Sequence, residues 1–300
     1  MNALSPAELR EVLEKEDDFG HELRVGRVLR SYSSAAIQHG GTYTDPVTAK
    51  PRQFDYRFWF AKKNERLSLA VECKNISAIA PLIISGTTRS HNESFHDLVE
   101  SRQGTFNEDG FTFSGLSSLT WRVKVANAFY PEGQFVGKSL LRIQADKKTS
   151  TRSGESEIYD KWAQALSSAV ELASSATALA KHLSAERTLS AVLPVIVVPN
   201  EMLWRAVYDS NGAMRSDPER IEDCTFFVGR EIEIGGEKGT PFYQKFIFSH
   251  VHFFTVQGLQ HFLVDISSDA NSWGSLFAGT NSTVRVSGAY DSDPAGINSV

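Results

Sequence analysis

Between residues 53 and 75 the apolar positions alternate with polar ones in two runs separated by a charged stretch. Phe54, Tyr56, Phe58 and Phe60 form one set and Leu67, Leu69, Val71 and Cys73 the other, with Ala-Lys-Lys-Asn-Glu-Arg between them. Period-two alternation around a short polar turn predicts a β-hairpin. A loop centred between Lys63 and Asn64 sets Asp55 opposite Glu72 and Gln53 opposite Lys74 in an antiparallel ladder. The same alternation gathers Gln53, Asp55, Arg57, Ala70, Glu72 and Lys74 on one face and leaves the apolar set on the other, suited to a core.

Helical signals lie on both sides of this hairpin. Ser5-Pro6-Ala7-Glu8 has the N-cap, N1 proline and N3 glutamate of a capping box, predicting a helix from Pro6 to Asp17 that braces the fold. A second helix is expected over residues 19–32 with Asp17 or Asp18 as N-cap. On it Glu22, Val25, Gly26 and Leu29 share one face, and Gly26 suits a close approach of helix to sheet. Further on, a strand is expected at Ser139–Ala145 and a long helix from Ile158 to Leu183 striped by Trp162, Leu166, Ala169, Val170, Ala173 and Leu179. Residues 190–198, entered past Pro194, read as a strand buried on both faces. Met202–Asp209 and Cys224–Ile234 read as strands, and Val256–Val264 as a closing helix packed through Leu259, Phe262 and Leu263.

The remaining segments are less regular. Residues 77–135 mix Gly, Ser, Thr and Asn with short aromatic runs such as Gly110-Phe111-Thr112-Phe113, and read as an insertion placed to meet substrate. Past Ser267 the composition predicts a poorly ordered tail. The expected organisation is an N-terminal helix over 1–17, one α/β domain over 18–267 and a tail over 268–300. Gly235-Gly236-Glu237-Lys238-Gly239 lacks the Gly-Lys-Ser/Thr of a phosphate-binding loop and reads as a hairpin tip.

Composition narrows the class. The chain has 300 residues, 41% hydrophobic and 22% charged, enough for a substantial core. Two cysteines, Cys73 and Cys224, make neither a disulfide framework nor a zinc site, and Cys73 on the apolar face reads as a buried thiol. The longest apolar stretch, Val192–Val198, is too short for a membrane span, and no signal peptide is evident, so a cytoplasmic protein without membrane partners is expected. A net charge of −5 disfavours nonspecific coating of nucleic acid. Basic density is local, at Lys50/Arg52, Lys62/Lys63/Arg66 and Lys147/Lys148/Arg152, and reads as solvated loops.

Two carboxylates opposed on a sheet repel, and the pair becomes favourable when a cation lies between them. A hard divalent ion such as Mg²⁺ takes one or two carboxylates and keeps several waters. Lys74, two residues beyond Glu72, can hold an attacking water or offset charge growing on a phosphate. The plain alternative for Asp55, Glu72 and Lys74 is a solvated strand face with a surface ion pair. On the second helix Glu22 is either a further carboxylate for the same site or a first-turn residue favoured by the helix dipole. Lys161 and Gln164, neighbours by helical spacing, can contact substrate, and His250-Val251-His252 reads as a packed histidine pair.

Asp55, the hairpin and Glu72-Cys73-Lys74 resemble the PD-(D/E)XK nuclease superfamily, with the approach Tyr43–Phe54 similar to that of bacterial members. The resemblance covers residues 18–75, and Gln164 is followed at i+4 by Ser168, so the Gln-x-x-x-Tyr of some relatives is absent. It implies a restriction-endonuclease-like mixed sheet with an αβββαβ core flanked by helices. It also implies Asp55 and Glu72 as ligands of Mg²⁺ or Mn²⁺, the Cys73 carbonyl as a further ligand, Lys74 as the charge-stabilising residue and Glu22 from the first core helix. The implied activity is metal-dependent cleavage of nucleic acid, DNA above all, in restriction, phage defence or repair, with a homodimer or a recruiting protein as possible partner. Two alternatives stand beside it: a catalytically silent module on the nuclease fold, and a cysteine hydrolase using Cys73, disfavoured by its inward position.

Overall fold

Ser5 opens the first helix, α1 (Pro6–Glu16), through the expected capping box: the Glu8 amide donates to the Ser5 hydroxyl and the Ser5 amide to the Glu8 carboxylate, at 3.3 and 2.7 Å. The computed structural model describes residues 4–46, 48–76, 80–108, 111–124, 129–142, 155–183, 185–235, 244–277 and 283–286. The helix does not brace the fold as expected. Every described side chain from Leu4 to Leu13 is exposed, so the stripe Leu9, Val12 and Leu13 faces outward.

After α2 (Phe19–Arg30) comes an edge strand, β1 (Ala36–His39), then a separate ribbon of β2 (Thr42–Thr44) and β3 (Pro51–Gln53). The hairpin follows as β4 (Tyr56–Lys62) and β5 (Glu65–Cys73), turning at Lys63 and Asn64 with Lys63 at φ 54°. Tyr56 pairs with Val71 and Arg57 with Ala70, the expected register.

The insertion region is strand-rich. It holds β6 (Leu82–Thr88), a 3-10 turn at His91–Glu93, and a long hairpin of β7 (Phe95–Glu108) with β8 (Phe111–Lys124). Next come β9 (Phe135–Arg142), α3 (Glu155–Ala176) and a short α4 (Leu179–His182), so the long helix ends seven residues before the expected Leu183. Then follow β10 (Arg187–Val198), β11 (Leu203–Val207), β12 (Glu219–Arg220), β13 (Asp223–Ile234), β14 (Gln244–Thr255) and α5 (Val256–Ser268). Order continues past the expected end: α6 (Ala270–Leu276) buries Trp273 and Leu276, and β15 (Thr283–Val286) pairs with β8. Lys147, Lys148, Arg152 and most of the glycine-rich tip lie outside the described residues.

The result is a mixed α/β structure around one large mixed sheet, with β1-β4-β5-β10-β14-β13-β9-β6-β11-β12 as its main path. β1, β4 and β5 form an antiparallel meander; β10 lies parallel to β5, and β14 parallel to β10. Alternation on the central strands divides the core in two. Leu67, Leu69, Val71, Cys73, Ala191, Leu193, Val195 and Val197 meet α2, α5 and α6, whereas Ala70, Val192, Ile196 and Val198 meet α3 through Ala165, Leu166, Ala169 and Ala173. The polar face is therefore covered by α3, which removes the plain alternative of a solvated strand face. Arg57, on that face, is buried and paired with Glu171 at 2.6 Å.

Pro194 sits inside β10, not at its entry. There β10 changes neighbours on one edge, from β7 (at Arg187–Ser190) to β14 (from Val195), and a proline that donates no N–H is tolerated between the two ladders. The parting strands leave a cavity of about 10 Å³ lined by His96, Tyr130, Leu193, Phe248 and His250 among others. Across the sheet, β13 meets β9 through one residue pair, Phe226 with Gly137. Gly86 and Gly137 are required at this join, since a Cβ would lie 2.0 Å from the Val136 carbonyl oxygen or 2.4 Å from Ile84 Cγ2.

Candidate functional site

Asp55 immediately precedes β4, and its side chain turns toward the end of β5. Its Oδ2 accepts the Cys73 amide at 2.6 Å, extending the hairpin by one contact beyond the ladder. Glu72, one residue earlier on β5, points to the α3 side and is 1% exposed. Its Oε2 lies 3.4 Å from Lys161 Nζ, while its Oε1 is buried without a hydrogen-bond partner. Burial and then the nearby Asp55 push the Glu72 carboxyl well above the usual range; Lys161 opposes them.

The cation between the carboxylates is thus an ammonium. Lys161, in the second turn of α3, places Nζ 3.3 Å from Asp55 Oδ2 and 3.4 Å from Glu72 Oε2. Burial alone lowers its affinity for a proton, but Asp55, Glu72 and Asp18 together raise it, so Lys161 stays charged. Sequence spacing marked Lys161 as a helix residue near substrate but gave no signal of this contact, which joins positions 89 residues apart. Gln164 lies one turn on, where its carbonyl accepts the Tyr43 hydroxyl at 3.2 Å.

Lys74 is placed differently. Its ammonium pairs with Asp18 Oδ2 at 3.3 Å, and its amide donates to the Val197 carbonyl at 2.9 Å. Asp18 occupies the N-cap of α2, where its carbonyl accepts the Glu22 amide at 2.9 Å but its side chain makes no cap bond; its Oδ1 accepts the Asn75 amide at 2.6 Å instead. The N-cap falls at Asp18 as expected, with Asp17 Oδ1 accepting the Phe19 amide at 3.1 Å, while the Asp18 carboxylate ties α2 to the segment after β5.

Glu22 is half-buried on α2, with Oε1 3.1 Å from His39 Nε2 on β1. Its carboxyl is raised by burial and then by Asp55, so it lies within the field of the same cluster. The His39 ring stacks on Tyr56, centroids 4.4 Å apart, and the Tyr56 hydroxyl donates to the Glu22 carbonyl at 3.1 Å. Gly26 makes this packing possible, because a Cβ there would lie 2.3 Å from the Tyr56 hydroxyl. Cys73 is a free, fully buried thiol whose pKa burial raises, which removes the nucleophile that a cysteine hydrolase needs.

Among the described residues no three His, Cys, Asp or Glu side chains stand close enough to hold a metal together. Two carboxylates with one unpartnered buried oxygen still fit a hard divalent ion that keeps much of its water. Other polar clusters are structural. His250 and His252 are both buried against Tyr130, the hydroxyl of which lies 2.7 Å from His252 Nε2, so the packed pair is found as expected. Lys62 bonds the Ile266 carbonyl at 3.2 Å and Arg66 stacks on Trp59. No helix among the described residues is long and apolar enough to cross a membrane. Comparison with protein-family models, curated proteins and solved structures finds no match to this chain.

Proposed function

We propose that this chain is a divalent-metal-dependent phosphodiesterase acting on nucleic acid, built on a PD-(D/E)XK-like core. The observation that carries the reading is the convergence of Asp55 and Glu72 at the ends of neighbouring strands, with one Glu72 oxygen buried and unpartnered. The chain order of α2, an antiparallel three-strand meander, α3 and a parallel strand supports the same restriction-endonuclease-like reading. DNA is the substrate that the sequence resemblance implies.

Asp55 and Glu72 would hold Mg²⁺ or Mn²⁺, with the Cys73 carbonyl as a further oxygen; the bound ion would stabilise charge on the phosphate and activate a water. Glu22 adds negative charge beside Asp55 and is steadied by His39. Lys161 and Lys74 supply the positive charge that offsets a phosphate whose negative charge grows during attack. Burial of Glu72 strengthens each of these interactions by excluding water.

Purified protein with Mg²⁺ or Mn²⁺ is expected to cleave plasmid or oligonucleotide, and Asp55→Asn and Glu72→Gln to reduce cleavage to background. Parallel assays on single-stranded DNA and RNA define the substrate. One observation favours a second reading, a silent nuclease-fold module: Lys161 already pairs with both carboxylates without a metal. A wild-type chain that neither cleaves nor gives heat with Mn²⁺ would establish that reading and remove the first.

A further inference from the structure

We infer that the Lys161 ammonium is a built-in competitor of the metal, holding the Asp55–Glu72 position in the metal-free chain and yielding it when a divalent ion enters. This rests on the metal-dependent reading above and adds to it a regulation of the same site.

Lys161 Nζ stands 3.3 and 3.4 Å from one oxygen of each carboxylate, where an ion bridging them would also have to approach. The backbone of α3 cannot retreat to make room. Ala165, Leu166, Ala169 and Ala173, on the turns that follow, are fully buried against the sheet. Exchange therefore falls to the four-carbon stem, whose side chain is 19% exposed and so has a route to the surface.

Charge decides which cation stays. With both carboxylates ionised, the form that binds a metal, the pair with the ammonium carries a net −1, whereas the pair with a divalent ion is neutral. With both cations present the pocket is +1, and the two repel each other where little water screens them. Asp18, itself paired with Lys74, adds to the negative field at Lys161, so a displaced ammonium still meets negative charge nearby. A ligand shifts such an equilibrium only by its preference for one arrangement, and here the preference is for carboxylates freed of their internal cation. The metal-free chain thus spends part of its carboxylate affinity on Lys161, and apparent metal affinity is reduced by the fraction of chains in the closed arrangement.

The test is calorimetric titration of Mn²⁺ into the wild type, Lys161→Met, Lys161→Arg and each combined with Glu72→Gln. Removal of the ammonium in Lys161→Met is expected to tighten Mn²⁺ binding about tenfold or more. Lys161→Arg, which keeps the charge, is expected not to tighten it, and Glu72→Gln to abolish binding in every background. A measurement on the wild type avoids reliance on a variant that folds poorly: Mg²⁺ is expected to raise acylation of Lys161 by a water-soluble amine reagent, read by mass spectrometry. Equal or weaker Mn²⁺ binding by Lys161→Met, or unchanged acylation with Mg²⁺ bound, overturns the inference and leaves the metal reading standing. Absence of Mn²⁺ binding in both the wild type and Lys161→Met overturns both together.

Discussion

Gly26 offers a one-methyl test of how the site is supported. A Cβ at this position would meet the Tyr56 hydroxyl at 2.3 Å and Cζ at 2.8 Å, and Tyr56 is fully buried, so α2 has to move away from the sheet. Gly26→Ala is expected to cost about 1–3 kcal/mol in denaturant unfolding, and to disturb Glu22, whose carbonyl holds the Tyr56 hydroxyl. An unchanged midpoint would show that the contact is slack. At this scale the hairpin was legible from sequence because strand alternation and a two-residue turn are local rules that fix which side chains face each other. Counting set Asp55 opposite Glu72; the ladder itself ends at Tyr56 and Val71, and the two carboxylates meet at Lys161. Lys161 did not follow from counting, since it lies on a helix far along the chain and no spacing rule links it to them. Lys74 could not be placed by parity either: β5 ends at Cys73, and beyond a strand's last residue alternation no longer dictates direction.

Among elements, α1 and α3 mark two extremes of burial. α3 is held by a row of buried alanines and Leu166, whereas α1 exposes all its described side chains. Removal of residues 1–16 is accordingly expected to shift the thermal midpoint by no more than about 2 °C, while Leu166→Ala costs about 2–5 kcal/mol. A large loss on truncation would mean that α1 packs in solution. Both helices show helical periodicity in the sequence, which reports that one face is apolar but not whether anything lies against it. The region after β5 shows the converse. β7 and β8, fourteen residues each, pair along their whole length through Gly-, Ser- and Thr-rich sequence, because cross-strand partners supply the order that composition withholds. Likewise Trp273 gives α6 its purchase under β4, against Phe60 and Lys62, within a segment whose average composition reads as irregular.

The whole molecule carries an acid sensitivity remote from the carboxylates. Burial lowers the pKa of His96 to about 4 and of His252 to about 3, and lowers His250 as well, with Arg89 adding to the effect on His250 and His252. Below pH 6.5 the unfolded chain takes up protons that the folded rings refuse. These histidines therefore make stability fall as pH drops from 6.5 toward 4, on the order of 3 kcal/mol for His96 alone, and add no slope above 6.5. Imidazole resonances of His96 and His252 that stay neutral down to pH 5, together with denaturation midpoints that fall over the same range, are the expected result; early titration of either ring would refute it. Chain order conveyed the mixed α/β class, but not that the sheet would continue through the second half, since that depends on long-range pairing at β13 and β9. At this join one residue pair is all the ladder there is, with Ile84 and Phe226 closing over Gly137. Tension along the strands would be borne by rows of backbone bonds, whereas tension across this line would fall on oily contact and on Arg89, which bonds the Phe135 carbonyl and the Thr225 hydroxyl. A tear in the sheet would begin there.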